Sequence, residues 1–267
     1  MKSVPLYANP DQGLEGRLEA ALDVVGLFGG HLTCLQVTPF DAFIMADPFG
    51  GVYALPSVVE HVAKADAEHR RSLEDRLGRE GVSWDWLRYD GAPAQLLVDR
   101  SRLCDLIVLS LTDSRDDGPM SIVADVAIHA RAPVLAVPKE SRGLEAGGTA
   151  LVAWNGALEA AHALRLSLPM LARASKVEIV TVTEDRAEFP ATDACEYLAR
   201  HGIGSQLHEW PGEGSRVSDA IADAARVLGA AYVVMGAYGH SRLREAVLGG
   251  VTRELLRDSP VPLLLGH

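Results

Sequence analysis

The sequence predicts an α/β protein made of two tandem units, each a five-stranded, mainly parallel sheet flanked by helices. Three observations lead there. At 267 residues the chain is long enough for two small domains. Laid against itself, it repeats weakly with the order of elements preserved. Within each copy, short runs rich in Val, Ile and Leu alternate with stretches of helical periodicity, the signature of βαβ units whose parallel strands are buried on both faces.

The elements of the first copy follow in order. SVPLYAN, ending at Asn9, reads as a strand, and an apolar helical pattern and a second strand, HLTCLQV, follow it. Pro39 to Pro56 is an excess over the other copy, and a long charged helix then runs to about Arg79. Phe43, Met45, Phe49 and Tyr53 make that excess a self-packed surface loop or, with a slight preference, a lid or oligomer contact. Trp84 and Trp86 lie on the third strand, where one is expected to face the sheet interior and the other a helix layer or an interface. DLIVLS and RAPVLAVP supply the last two strands.

The polar, glycine-rich stretch Lys139 to Gly148, with little to bury, marks the boundary. It separates units at 1–140 and 149–267 with 141–148 as linker. In the second copy the strands are expected near 149–154, 177–182, 204–209, 231–235 and 262–265. Val217, Ile221, Ala225 and Leu228 form one helical face, closed by Gly229 as a left-handed cap, and Pro169 should kink the first helix near its end. The apolar strands 133–137 and 262–265 would present bare edges, so the copies are expected to pack face to face as an internal pseudo-dimer that pairs them.

Composition narrows the function. A net charge of −11 disfavours a sequence-independent grip on nucleic acid and on acidic membrane surfaces. No stretch approaches the apolar length of a membrane helix or a signal peptide, and the three cysteines form neither a disulfide framework nor a zinc spacing, so a cytoplasmic location is expected. No motif nominates a nucleophile, a catalytic acid or base, or a metal site.

The segment GAYGHSRLREAVLGG, beginning at Gly236, carries the chemistry. Gly236 is expected to let the chain turn off its strand, and Gly239 to allow close approach of a ligand. Gly249 and Gly250 should begin a helix whose apolar face is Val251, Leu255 and Leu256 and whose free N–H groups form an anion site at the carboxyl end of the sheet. Of the basic residues in and after it, Arg242 is the candidate phosphate contact; Arg244, Arg253 and Arg257 are interleaved with acids as on a solvated face, and His240 lacks a partner carboxylate.

These glycines, in a strand-loop-helix context inside a five-strand repeat, resemble the loop of ATP-binding universal stress proteins. That family carries G, two residues, G, nine residues, then G with Ser or Thr. Gly236, Gly239 and Gly249 match, whereas Gly250 departs by lacking the hydroxyl. The resemblance covers nearly the whole chain and implies two Rossmann-like domains. It places Asn155 where the family has a nucleoside-contacting Asp, and Val182 beside it. Trp154 is read as core. The first copy's loop keeps only Gly118 and carries Asp113, Asp116 and Asp117, so nucleotide is expected in the second copy only.

The resemblance implies a stress-response protein that binds ATP, with or without Mg2+, as a regulatory ligand, with at most weak hydrolysis and a possible homodimer. The alternatives are a scaffold or small-ligand module without nucleotide and, less favoured, an adenylylating enzyme.

Overall fold

The computed structural model describes residues 1–38, 45–46, 52–53, 56–111, 121–182, 189–212, 216–239 and 250–267. The first half runs β1 (Ser3–Tyr7), α1 (Leu14–Phe28), β2 (His31–Thr38), β3 (Met45–Ala46), β4 (Val52–Tyr53), α2 (Pro56–Leu77), β5 (Ser83–Asp90), α3 (Pro93–Arg100), β6 (Ile107–Ser110), α4 (Ile122–His129) and β7 (Val134–Val137). The second runs β8 (Thr149–Ala153), α5 (Leu158–Leu166), α6 (Leu168–Leu171), β9 (Lys176–Val182), α7 (Ala191–Arg200), β10 (Gln206–Trp210), α8 (Val217–Val227), β11 (Ala230–Gly236), α9 (Val251–Asp258) and β12 (Leu263–Gly266).

Ten strands form one sheet in the order β10-β9-β8-β11-β12-β7-β6-β1-β2-β5. Each half is parallel and has the same internal order. The halves meet where β12 runs antiparallel to β7, with Leu264 opposite Leu135. The predicted edge pairing is therefore present, but the copies join side by side in one sheet and do not pack face to face. This arrangement satisfies the backbone groups of both apolar strands without exposing either edge.

Two layers of core follow. On one face β1, β2, β8 and β9 residues such as Val4, Leu32, Ala150 and Ile179 pack under α1, α2, α5 and α7; on the other, Leu109, Val134, Val233 and Leu263 pack under α4, α8 and α9. Each core draws on both halves.

Local sequence explains the element ends. Gly229 has φ 64° and closes α8 as a left-handed cap. The helix after β8 breaks at Ser167 (φ −87°, ψ −5°), and Pro169 sits in the first turn of α6, where its missing N–H costs nothing.

Two expectations are corrected. The 141–148 connector is not a bare tether: Leu144 and Ala146 are buried, and Leu144 N–H donates to Asp23 at 2.7 Å. Trp84 and Trp86 do not divide between layers. Residues two apart in a strand share a face, and both are half-buried against the α1/α2 core. Of the 39–56 insertion only β3, β4 and Pro56, the first residue of α2, are described; β3 and β4 form an antiparallel pair with Met45 opposite Tyr53. Phe43 and Phe49 lie outside the described residues.

Candidate functional site

β8 lies between β9 and β11, so the strand order reverses there, and the carboxyl ends of these strands meet at the topological switch point where sheets of this kind place their ligands. Asn155 follows β8, Val182 ends β9, Gly236 ends β11 and Gly250 precedes α9. Arg242 and Gly249, like His240 and Arg244, lie outside the described residues.

Asn155 is exposed. Its Oδ1 accepts from the Ala157 N–H at 3.1 Å, shaping the turn into α5, and its Nδ2 has no partner among the described residues. Trp154 is 4% exposed, as expected for core, and its indole N–H donates to the Phe189 carbonyl at 3.1 Å. Val182 is half-buried and stands opposite Trp210.

The two described glycines of the loop do different work from that expected. At Gly236 a Cβ would lie 2.7 Å from the Ala160 nitrogen, so the glycine makes room for the first turn of α5. The turn comes later: Tyr238 takes φ 52°, the one described non-glycine residue in the left-handed region, and its N–H donates to Thr252 Oγ1 at 3.4 Å. At Gly239 a Cβ would lie 3.1 Å from Glu159 Oε2, so a carboxylate borders the loop.

Gly250 starts α9 with φ −63° and ψ 154° and, lacking a side chain, leaves the first turn uncapped. Leu255 and Leu256 are buried and Val251 is half-buried, as the periodicity indicates. Sequence reasoning missed Arg216. It sits at the start of α8 and binds Glu254 of α9 at 3.1 Å and Asp219 at 3.0 Å, which brings a guanidinium to α9's first turn. No local motif signals a pairing across 38 residues.

The first half fills the corresponding place. Asn9 is sewn to β2, its Nδ2 donating to Val37 O at 2.7 Å and its Oδ1 accepting from Val37 N at 2.8 Å. Arg17, fully buried, donates to Tyr7 O at 2.6 Å, Asn9 O at 2.5 Å, Asp11 Oδ1 at 2.5 Å and Ser110 Oγ at 3.0 Å. Burial of Tyr7 against this cluster pushes its phenol up to about 12.

The fold defines a duplicated α/β protein whose two halves share one sheet, with a buried arginine cluster at the strand ends of the first half that the second half lacks. Residues 191–266 match the model of the universal stress protein family. A universal stress protein from Archaeoglobus fulgidus DSM 4304 aligns over 99% of this chain and 96% of its own, at 16% identity and a TM-score of 0.72. A putative universal stress protein from Pseudomonas aeruginosa UCBPP-PA14 aligns over 99% and 93%, at 18% identity and a TM-score of 0.62. No curated protein matches the chain. The family match is thus confined to residues 191–266, and the chain as a whole has the fold of the universal stress proteins with which it aligns. Among the described residues no helix is long and apolar enough to cross a membrane, and no group of three or more His, Cys, Asp or Glu is placed to hold a metal.

Proposed function

We propose that the second half binds an adenine nucleotide, ATP in the first instance, as a regulatory ligand of a stress-response protein, and that the first half does not. The contrast between equivalent residues carries this reading. Asn9, Arg17 and Ser110 are bonded into one cluster, whereas their counterparts are Asn155 with a free Nδ2, Ala163 and Gly236. The donor chemistry of the crevice fits a phosphate-bearing ligand. Asn155 offers a hydrogen-bond donor for base or ribose, and the uncapped N–H groups of α9 offer a dipole end for phosphate. Arg242, Gly249 and Val182 complete the proposed contacts, and bound Mg2+ would offset the charge of Glu159. Gly236 supports the site by seating α5. The domain limits 1–140 and 149–267 belong to the same proposal.

One observation favours the scaffold or small-ligand alternative. A carboxylate, that of Glu159, stands against Gly239, where the nucleotide reading would bring a polyphosphate. Calorimetry with Mg-ATP separates the readings. Gly250→Ser places a hydroxyl at the start of α9, in backbone geometry that serine adopts readily, and should raise affinity severalfold. If neither the parent nor Gly250→Ser binds Mg-ATP, the scaffold reading replaces the nucleotide one.

A further inference from the structure

The two halves differ in how their first two long helices meet. In the first, Arg76 of α2 donates to Glu15 of α1 at 2.6 and 2.5 Å and pairs with Glu19 as well, while Leu73 and Leu77 are buried alongside. Strand register aligns α1 with α5. The left-handed glycine after each second helix, Gly81 (φ 68°) and Gly202 (φ 74°), aligns α2 with α7.

By that alignment Arg76 becomes Tyr197, Leu73 becomes Ala194, Glu15 becomes Ala161 and Glu19 becomes Arg165, while Leu77 persists as the buried Leu198. The ionic staple and the volume of one leucine are lost together. A cavity of about 310 Å³ lies between α5 and α7, lined by Ala161, Arg165, Ala194 and Tyr197 among others.

Its walls have a direction. Trp154 and Phe189 line it near the carboxyl edge of the sheet, Leu164 and Tyr197 line its length, and Arg165 and Arg200 come from the last turns of the two helices. Phe189 is 52% exposed, a large aromatic surface left uncovered. Arg200 is paired with Glu196 at 3.1 Å, but Arg165 makes no ion pair among the described residues. Asp193 sits at the opposite end, in the first turn of α7, where it complements the helix dipole. An apolar, aromatic groove thus ends at an unpaired guanidinium.

We propose that this groove binds a small bicyclic aromatic carboxylate, its rings against Trp154, Phe189 and Tyr197 and its carboxylate on Arg165. Size and the unpaired Arg165 point there; of the two acids in the lining, Glu196 is bonded to Arg200 and Asp193 lies at the far end. An apolar cavity of roughly 150 Å³ holds benzene, and drug-sized ligand sites begin near 300 Å³. A planar guanidinium pairs with a carboxylate through two parallel hydrogen bonds, a geometry that a neutral amide cannot match. The site is separate from the glycine-loop crevice and does not depend on nucleotide binding.

Equilibrium dialysis of the full chain with 2-naphthoate, and with 2-naphthamide as the uncharged isostere, tests it. Saturable binding of 2-naphthoate is expected. Arg165→Gln should weaken it about tenfold and leave 2-naphthamide unchanged. Ala161→Leu, which fills the groove from a half-buried position, should abolish both while keeping the parent's urea midpoint. Three results would overturn the proposal: no saturable binding by the parent, equal affinities of parent and Arg165→Gln for 2-naphthoate, or loss of 2-naphthoate on adding Mg-ATP, which would move the ligand to the glycine-loop crevice.

Discussion

In the first half the close approaches of the leading helix are made by glycines at its start, Gly13 against the end of β6 and Gly16 against the backbone that follows β7; in the second they are made by glycines on the strands. A Cβ on Gly13 would lie 2.3 Å from Ser110 Oγ, and one on Gly16 would lie 2.8 Å from Ser141 O. In the second half Gly236 and Gly266 stand opposite each other on β11 and β12, and Cβ atoms there would lie 2.7 Å from the Ala160 nitrogen and the Ala163 Cα. The same helix-on-sheet packing is reached by opposite allocations of the small residue. That frees Ser110 to carry a hydroxyl in the first half, and the hydroxyl helps hold Arg17. Duplicated folds can thus conserve packing while exchanging which partner is cut back, and the exchange decides what else fits.

The largest test of this comparison is Arg17→Ala. It leaves the carbonyls of Tyr7 and Asn9 without their buried donor and should cost about 3–5 kcal/mol, read as a lower urea midpoint at unchanged slope. A loss below about 1 kcal/mol would show that Arg17 is not the element holding the first half's crevice shut.

Next in size is Gly236→Ala, whose Cβ meets backbone that cannot give way easily, and about 1–3 kcal/mol should be lost. The mirror change Ser110→Gly removes hydrogen bonds to Arg17 and Gly13 and should cost only about 0.5–1.5 kcal/mol. Equal losses would erase the asymmetry.

The smallest expected difference concerns acid. Glu178 on β9 is fully buried. Burial alone would raise its pKa, but hydrogen bonds from Lys176 and His208, with their charges, outweigh it and hold the carboxyl below its ordinary value. Because the folded value is depressed, the carboxylate's stabilisation is present above the ordinary carboxylate range and fades as pH falls through the lowered value. In the first half Thr33 and Leu87 stand at the equivalent register positions, and the nearby β2–β5 contact, His31 with Asp85 at 3.2 Å, is about half exposed and contributes little. Hydrogen exchange on acidification should therefore loosen β9 and β10 before β2 and β5, and Glu178→Gln should remove that difference. Simultaneous loosening in the parent would contradict it.

Much of this was legible in the sequence because it is written locally. The strand predicted near 177–182 is β9 at Lys176–Val182, the helical face from Val217 ends at its left-handed glycine, and Trp154 is core. What escaped is non-local. The neighbours of Gly236 and Gly239 belong to α5, some 80 residues earlier in the chain, so loop spacing alone did not show that a helix and a carboxylate stand against these glycines. Arg17 looks like an ordinary helix residue until four acceptors from three segments close on it.

The amino-acid pattern by itself determined that this protein is a duplicated α/β chain. Strand and helix periodicities, and the glycines and prolines that end elements, act over a few residues and need no tertiary partner to be read. Tertiary structure alone decided that the copies share one sheet through β7 and β12, that Leu144 and Ala146 of the connector are buried, and that Asn9 is bonded to β2 while the Nδ2 of Asn155 has no partner among the described residues. Those outcomes depend on which side chains meet after the chain has closed, and meetings between distant residues leave no periodic trace along it.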